Sequence, residues 1–422
     1  MSVSSILSLF RSQPSGRRPA LKSADPGARP DGASRRDRPL TILQVVPQLG
    51  IGGVERGTLE IAEAIVQAGG RALVASAGGQ LAPRLMRAGA ELVEMNAATK
   101  NPFNIWQNAG VLTRLIRAEG VDLVHARSRA PAWSAWRAAE RAGVPFVTTY
   151  HGSYSEDFPG KRFYNSIMAR GRPVIAVSEY TRAMVIERHC VAPEDIVVIP
   201  RGADVEVFSE DVVGGQRTAG LAERWGLLDD ARPVVMLPGR LTRWKGAESL
   251  IEAAGLLSAR RGGPDFIVLI VGEDGGSGYA DVLERRIREH GVEDFVHLAG
   301  AVSDMAAAYK LASVVVSASI EPEAFGRVAV EAQAMGRPVV ATDHGGARET
   351  VAHGETGLLY PPGDTAALAA AIDQILQLDE SEKAHMRLSA RARIHAQFTT
   401  RTMQRHTLDV YERATGRLFS EA

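Results

Sequence analysis

From residue 40 onward, short runs rich in Val, Ile and Leu alternate with helical patterns, and each run is bounded by Gly, Pro or Asp. TILQVVPQL, RALVAS, ELVEM, DLVHARS, PFVTTYH, PVIAVS and IVVIPRG fill residues 41–202. PVVMLPG, FIVLIVG, FVHLAG, SVVVSAS and PVVATD fill 233–343. Apolar residues without alternation mark strands buried on both faces, the signature of parallel sheets covered by helices. Strands alternating with helices in two sets predict two doubly wound α/β units. A chain of 422 residues is also too long for one ordinary core. The first domain is expected over 40–210 and the second over 211–397, with the polar, Gly-containing stretch 209–231 as the linker. Long amphipathic helices are expected at 364–396, followed by a last helical pattern, TTRTMQRHTLDVYERATGRL.

Composition removes several classes of function. Lys+Arg and Asp+Glu both number 49, so no global field points to nucleic acid. A single cysteine, Cys190, excludes an internal disulfide and a cysteine metal cluster. No run reaches the roughly 18 apolar residues of a membrane span, and the N-terminus lacks the basic start of a signal peptide. A cytoplasmic protein is expected. Residues 1–39 are rich in Ser, Pro, Gly and Arg and read as a disordered basic tail. Its arginines and the apolar cluster Ile6, Leu7, Leu9 and Phe10 fit either a solvated tail or peripheral contact with an anionic membrane surface.

Two Rossmann-like units invite a nicotinamide reading, which the glycines do not support. The first βα turn reads QLGIGGVERG, and Glu55 stands where the dinucleotide fingerprint needs its third glycine. No acid ends the second strand to take a ribose, and no P-loop motif occurs. Gly52 and Gly53 read instead as a tight loop for close ligand approach, or as an ordinary strand-to-helix turn.

The second set of strands carries more chemistry. PVVMLPGRLTRWKG brings Gly239, Arg240 and Lys245 to a strand's carboxyl end, where a guanidinium fork and a point charge suit a diphosphate. In EPEAFGRVAVEAQAMGRPVVAT, Glu323 lies on a loop and Glu331 about two turns into the next helix. The helix begins near Ala324, Phe325 and Gly326, whose free backbone N–H groups suit an anionic or hydroxyl-rich ligand. Two acids so placed suit a ligand with two hydroxyl-bearing parts, such as a sugar and a ribose. Taken alone, the same pair also reads as a turn residue and a solvated helix acid.

Together with GEDGG, LAGAVSDM and ATDHGGARETVAHGETGLLYPPGD, these motifs resemble the family-4 (group 1) glycosyltransferases over residues 41 to about 415. The resemblance implies the GT-B fold, two facing Rossmann-like doubly wound parallel-sheet domains, with a C-terminal helix (398–418) crossing back to the first. It implies transfer of a sugar from a UDP- or GDP-linked nucleotide sugar to a hydroxyl acceptor, with retained anomeric configuration. Glu323 would contact the donor sugar and Glu331 the ribose, while Arg240 and Lys245 would neutralise the leaving diphosphate. Gly272, Glu273 and Val302 would line the base, and Gly345, Gly346 and Glu349 would form the donor-side glycine loop. His151, in TTYHGSY, resembles the family's active-site histidine. His125, Arg127 and Arg129 line the acceptor cleft or form a plain strand-end cluster; Lys161 and Arg162 sit on an acceptor-side loop. Arg201, in IPRGADVEVF, stands where the family usually has asparagine. No D-x-D element is present, so no metal is expected. The acceptor is expected to be a cell-envelope glycan or lipid, as in lipopolysaccharide, glycolipid or exopolysaccharide assembly. A sugar-nucleotide epimerase and a catalytically silent sugar-nucleotide binder are the alternatives.

Overall fold

The computed structural model describes residues 38–50, 52–152, 154, 156 and 160–419. The basic tail and much of the segment after His151 lie outside the described residues. Seven parallel strands form the first sheet: β1 (Thr41–Val45), β2 (Arg71–Ser76), β3 (Glu91–Glu94), β4 (Leu123–Ala126), β5 (Phe146–Tyr150), β6 (Val174–Ala176) and β7 (Ile196–Val198). Their order is β3-β2-β1-β4-β5-β6-β7. Six parallel strands form the second: β8 (Val234–Pro238), β9 (Ile267–Val271), β10 (Val296–Gly300), β11 (Val314–Ser317), β12 (Val339–Thr342) and β13 (Gly357–Tyr360), ordered β10-β9-β8-β11-β12-β13. Every residue of β1, β8 and β9 is buried, as strands covered by helices on both faces must be.

Two expectations change. TGLLYPPGD was not among the expected strands, but its four residues Gly357–Tyr360 form the edge strand β13. A Cβ at Gly357 would overlap the Val339 carbonyl, so only glycine allows this strand to lie against β12. The stretch 209–231 is not a plain linker either. It holds the helix Gly215–Arg224, whose Leu221 is buried in the second domain's core beside Phe208 and Val213.

In both sheets the strand order reverses in the middle, between β1 and β4 and between β8 and β11. Loops leaving the carboxyl ends of those strands diverge to opposite faces and open a crevice, the usual ligand position in open α/β sheets. The helix Thr400–Thr415 packs back on the first sheet, where Met403, Val410 and Tyr411 join a core with Ile42, Leu59, Ile61 and Ile65. Its approach is pinned by Ala203, whose N–H bonds Phe398 O and whose carbonyl accepts from Thr400 N, each at 2.9 Å. Next to it, a Cβ at Gly202 would overlap the Thr399 backbone.

Candidate active site

At the reversal point of the second sheet, the loops after β8 and β11 meet. Gly246 lies in the left-handed region (φ +73°), and a Cβ there would overlap the Ala318 carbonyl oxygen. Glycine therefore lets the β8 loop nest against the β11 loop, and the nesting carries Lys245 to Glu323. The Lys245 Nζ lies 2.7 Å from Glu323 Oε1, with both side chains mostly buried. Ser319 Oγ donates to the same oxygen at 2.5 Å and Ser317 Oγ at 3.5 Å. The ammonium also lies 4.4 Å from the centre of the Trp244 ring. Burial pushes the Glu323 carboxyl up, yet Lys245 and the two serine hydroxyls together hold it below the ordinary 4.5. The backbone of Glu323 is moulded by the glycine pair after β12. Gly346 N donates to Glu323 O at 2.8 Å, and a Cβ at Gly345 would come within 2.5 Å of that oxygen.

Around this pair the other donor-side residues have different standing. Arg240 is exposed and makes no ion pair among the described residues. Gly239 N bonds Val271 O, and a Cβ at Gly272 would overlap the Gly239 carbonyl, so the two strand ends touch only because Gly272 is bare. Glu273 is exposed, and its carbonyl accepts from Leu241 N at 3.0 Å. Val302 is half-buried against the second core. Phe325 is no ligand surface: it is buried and packs on Phe398 with ring centroids 5.8 Å apart, which leaves only its backbone to a ligand. Gly326, at φ +91°, turns the chain into the helix Arg327–Ala334.

Glu331 is neither solvated nor unpartnered. It is 5% exposed and accepts from Tyr309 Oη at 3.2 Å. Arg327 Nε and Arg56 Nη1 each lie 3.6 Å from its Oε1. Arg327 in turn bonds Glu60 Oε1 at 2.8 Å. Arg56 and Glu60 belong to the helix Gly53–Gln67, which Gly52 caps, and a Cβ at Gly53 would lie 3.7 Å from Arg327 Cδ. The Gly52–Gly53 turn of the first sheet thus meets the Arg327 helix of the second through an ion-pair chain. Sequence reading missed Arg56 and Glu60, because no local pattern marks a pairing across more than 250 residues, and it also missed Tyr309 and Arg327, 22 and four positions from Glu331. Glu349 likewise reaches the first domain: its carboxylate accepts the Glu179 and Tyr180 N–H groups, both at 2.8 Å, at the start of the helix Glu179–His189.

In the first domain His151 follows β5, and its Nδ1 lies 2.6 Å from an Nη2 of Arg201. His125 is corrected to a core residue. It is fully buried, with Nδ1 2.6 Å from Tyr411 Oη and Nε2 2.7 Å from Thr149 Oγ1, so it has no surface to offer a cleft. Arg127 is 2% exposed and reaches Gln44 Oε1 at 3.3 Å; it too is interior. Arg129 bonds Asn165 Oδ1 at 2.8 Å and stacks 4.1 Å over Tyr154. Lys161 opens the short helix Lys161–Asn165. Arg162 is tied to the Arg188 carbonyl at 2.5 and 3.0 Å.

The fold and the crevice at the two reversal points are those of a glycosyltransferase of the GT-B type. Residues 51–207 match the Glycosyltransferase Family 4 model, and residues 223–395 match that of the Glycosyl transferases group 1. The chain is 31% identical over 331 residues to the D-inositol 3-phosphate glycosyltransferase of Jonesia denitrificans, across 72% of this chain and 75% of that relative. A glycosyltransferase from Rickettsia africae superposes with a TM-score of 0.82 at 35% identity, over 89% of this chain and 98% of that one. Anabaena HepE, solved with UDP and glucose, superposes with a TM-score of 0.76 at 26% identity, over 88% of this chain and 99% of that one. The chain belongs to the group 1 glycosyltransferases.

Proposed function

We propose that this enzyme moves a sugar from a nucleoside-diphosphate donor to a hydroxyl acceptor with retained configuration, residues 211–397 holding the donor and 40–210 facing the acceptor. The observation that carries it is the Lys245–Glu323 pair at the strand-order reversal, set by Gly246 and the Gly345–Gly346 turn. The Lys245 ammonium, with Arg240 on the same loop, meets the charge that grows on the departing diphosphate, a preorganised electrostatic contribution. Glu323, kept ionised and acceptor-only, takes hydroxyls of the transferred sugar. Glu331 takes the ribose. Among the described residues no carboxylate is placed as a covalent nucleophile, which favours displacement on one face assisted by the leaving phosphate. UDP is the first donor to test, because HepE was solved with it. The acceptor is a hydroxyl-rich, anionic molecule of envelope assembly; the Jonesia relative's name supplies inositol phosphate as one probe.

The test incubates the purified enzyme with UDP- and GDP-hexoses and a panel of inositol phosphates, lipid-linked sugars and oligosaccharides. Transfer to one of them is expected, and proton NMR of the fresh linkage should show the donor's anomeric configuration. Free epimerised sugar with no acceptor product would make the chain an epimerase instead. A second expectation concerns Glu331→Gln. Losing a charged acceptor should weaken nucleoside-diphosphate binding roughly tenfold to a hundredfold by calorimetry, with kcat moving less. Unchanged affinity would remove the ribose assignment.

A further inference from the structure

We propose that Arg201 is a positioning residue for His151: its guanidinium holds Nδ1 as an acceptor, fixes the ring proton on Nε2, and so sets His151 as an N–H donor in the crevice. The inference rests on the reading of His151 as part of the transfer site. A guanidinium carries five donors and no acceptor. Its 2.6 Å contact with Nδ1 therefore requires a lone pair on that nitrogen, and the proton of a neutral ring must then sit on Nε2. Nε2 is buried and has no hydrogen-bond partner among the described residues. A buried donor left unpaired is costly, so it is best explained by an oxygen that arrives with a ligand.

The surroundings are built for this contact. Arg201 is 6% exposed, lies beneath the helix Gly53–Gln67, and forms no ion pair among the described residues. A Cβ at Gly57 would overlap its Nη1 and come within 2.8 Å of Arg127 Nη2, so that glycine opens the space in which Arg201 lies. Nη1 reaches Met403 Sδ at 3.9 Å; burial, then Arg127 and Arg327, push the guanidinium below its ordinary value, and the Glu60 and Glu55 carboxylates of the helix above oppose them. The charged and titratable groups facing the ring are Arg201 after β7, Arg127 after β4, His125 on β4, and Tyr154, whose phenol bonds the His151 backbone. Burial and the two arginines oppose imidazolium formation. An asparagine at 201 would carry neither the charge nor an obligate donor, because its amide can turn to accept.

The test uses the full chain labelled with ¹⁵N-histidine; of its 10 histidines, His151 is assigned by the signal lost in His151→Asn. In the wild type, Nδ1 should be pyridine-like and Nε2 proton-bearing, with no titration between about pH 5.5 and 8. Arg201→Met should move the ring's titration upward, with burial and Arg127 still holding it below the ordinary 6.5, and leave its tautomers mixed. It should also lower kcat about tenfold, while the donor KM stays within about twofold. Arg201→Lys should restore the non-titrating signal and most of kcat. In a His151→Ala background, Arg201→Met should cost nothing further. A proton on Nδ1 of the wild type, titration of the wild-type ring near 6.5, or losses that multiply in the double variant would each overturn the proposal. Were the wild type to transfer no sugar to any acceptor, the proposed function would fail, while the nitrogen signature would still decide the role of Arg201. Should Arg201→Met not fold, the wild-type and Arg201→Lys spectra decide it.

Discussion

Lys245→Met is expected to lower kcat/KM by on the order of a hundredfold or more, the scale of losing a principal charge stabiliser. Methionine keeps most of the apolar stem and removes only the ammonium, so the effect reports charge rather than packing. Two losses combine. The departing diphosphate loses its buried cation, and Glu323 loses the partner 2.7 Å away that offsets its own burial. The Glu323 carboxyl, now held below 4.5, should rise without that ammonium, because burial is the largest influence on it and raises it. The acid limb of the pH–kcat profile should therefore move upward in Lys245→Met. Arg240→Met should lose a comparable factor without moving that limb, since Arg240 is exposed and does not touch Glu323. Steady-state kinetics across the acid range check both. Wild-type turnover in the two variants would remove the diphosphate assignment.

Acid should also unfold this protein early. His125 is held well below the ordinary 6.5 by burial and then by Arg127 and Arg201. His151 is lowered by burial and then by Arg201, Arg127 and His125. Both rings stay neutral in the fold while the unfolded chain takes up protons, so the unfolded state binds more protons below 6.5. Stability is therefore intact above that value and falls as pH drops through it. Each ring that is still neutral in the fold below 6.5 costs about 1.4 kcal/mol per pH unit, and His189 and His297, lowered by burial first, act in the same direction. The carboxylate of Glu323 adds nothing in this window, because its loss begins only below 4.5. Urea midpoints at neutral and mildly acid pH measure the effect, and His151→Asn should reduce the slope. A midpoint that does not move would mean that the buried rings are charged in the fold.

What was legible in the sequence divides along physical lines. Apolar runs announce strands, whether buried on both faces like β1 and β9 or at a half-exposed sheet edge like β3 and β10, so all seven of the first sheet and β8 to β12 could be read directly. β13 escaped because only Gly357–Tyr360 separate Thr356 from Pro361. Lys245 and Glu323 were legible because glycine spacing and strand ends place them without any distant information. Glu331 was identified, but its setting was not, since Arg56 approaches from a helix 275 positions earlier. His125 was misplaced for a similar reason. HARSR looks like a polar strand end, and nothing nearby reveals that Tyr411 and Thr149 satisfy both ring nitrogens. Arg201 stood out in the sequence as an unexpected residue, but its partner across the sheet edge became visible only in three dimensions.

The hydrogen bond between His125 and Tyr411 joins residues 286 positions apart. A ribosome adding about 5–20 residues each second needs roughly 15–60 s to cover that distance. The first sheet emerges early, yet the face over Ile42, Leu59 and Ile65 stays uncovered until Met403, Val410 and Tyr411 have been made. The second sheet and the helices around it are continuous in the chain and can close in the meantime. Synthesis and completion thus run in opposite orders: the domain translated first is sealed last, and during that interval its apolar flank is open to chaperones or to another nascent chain.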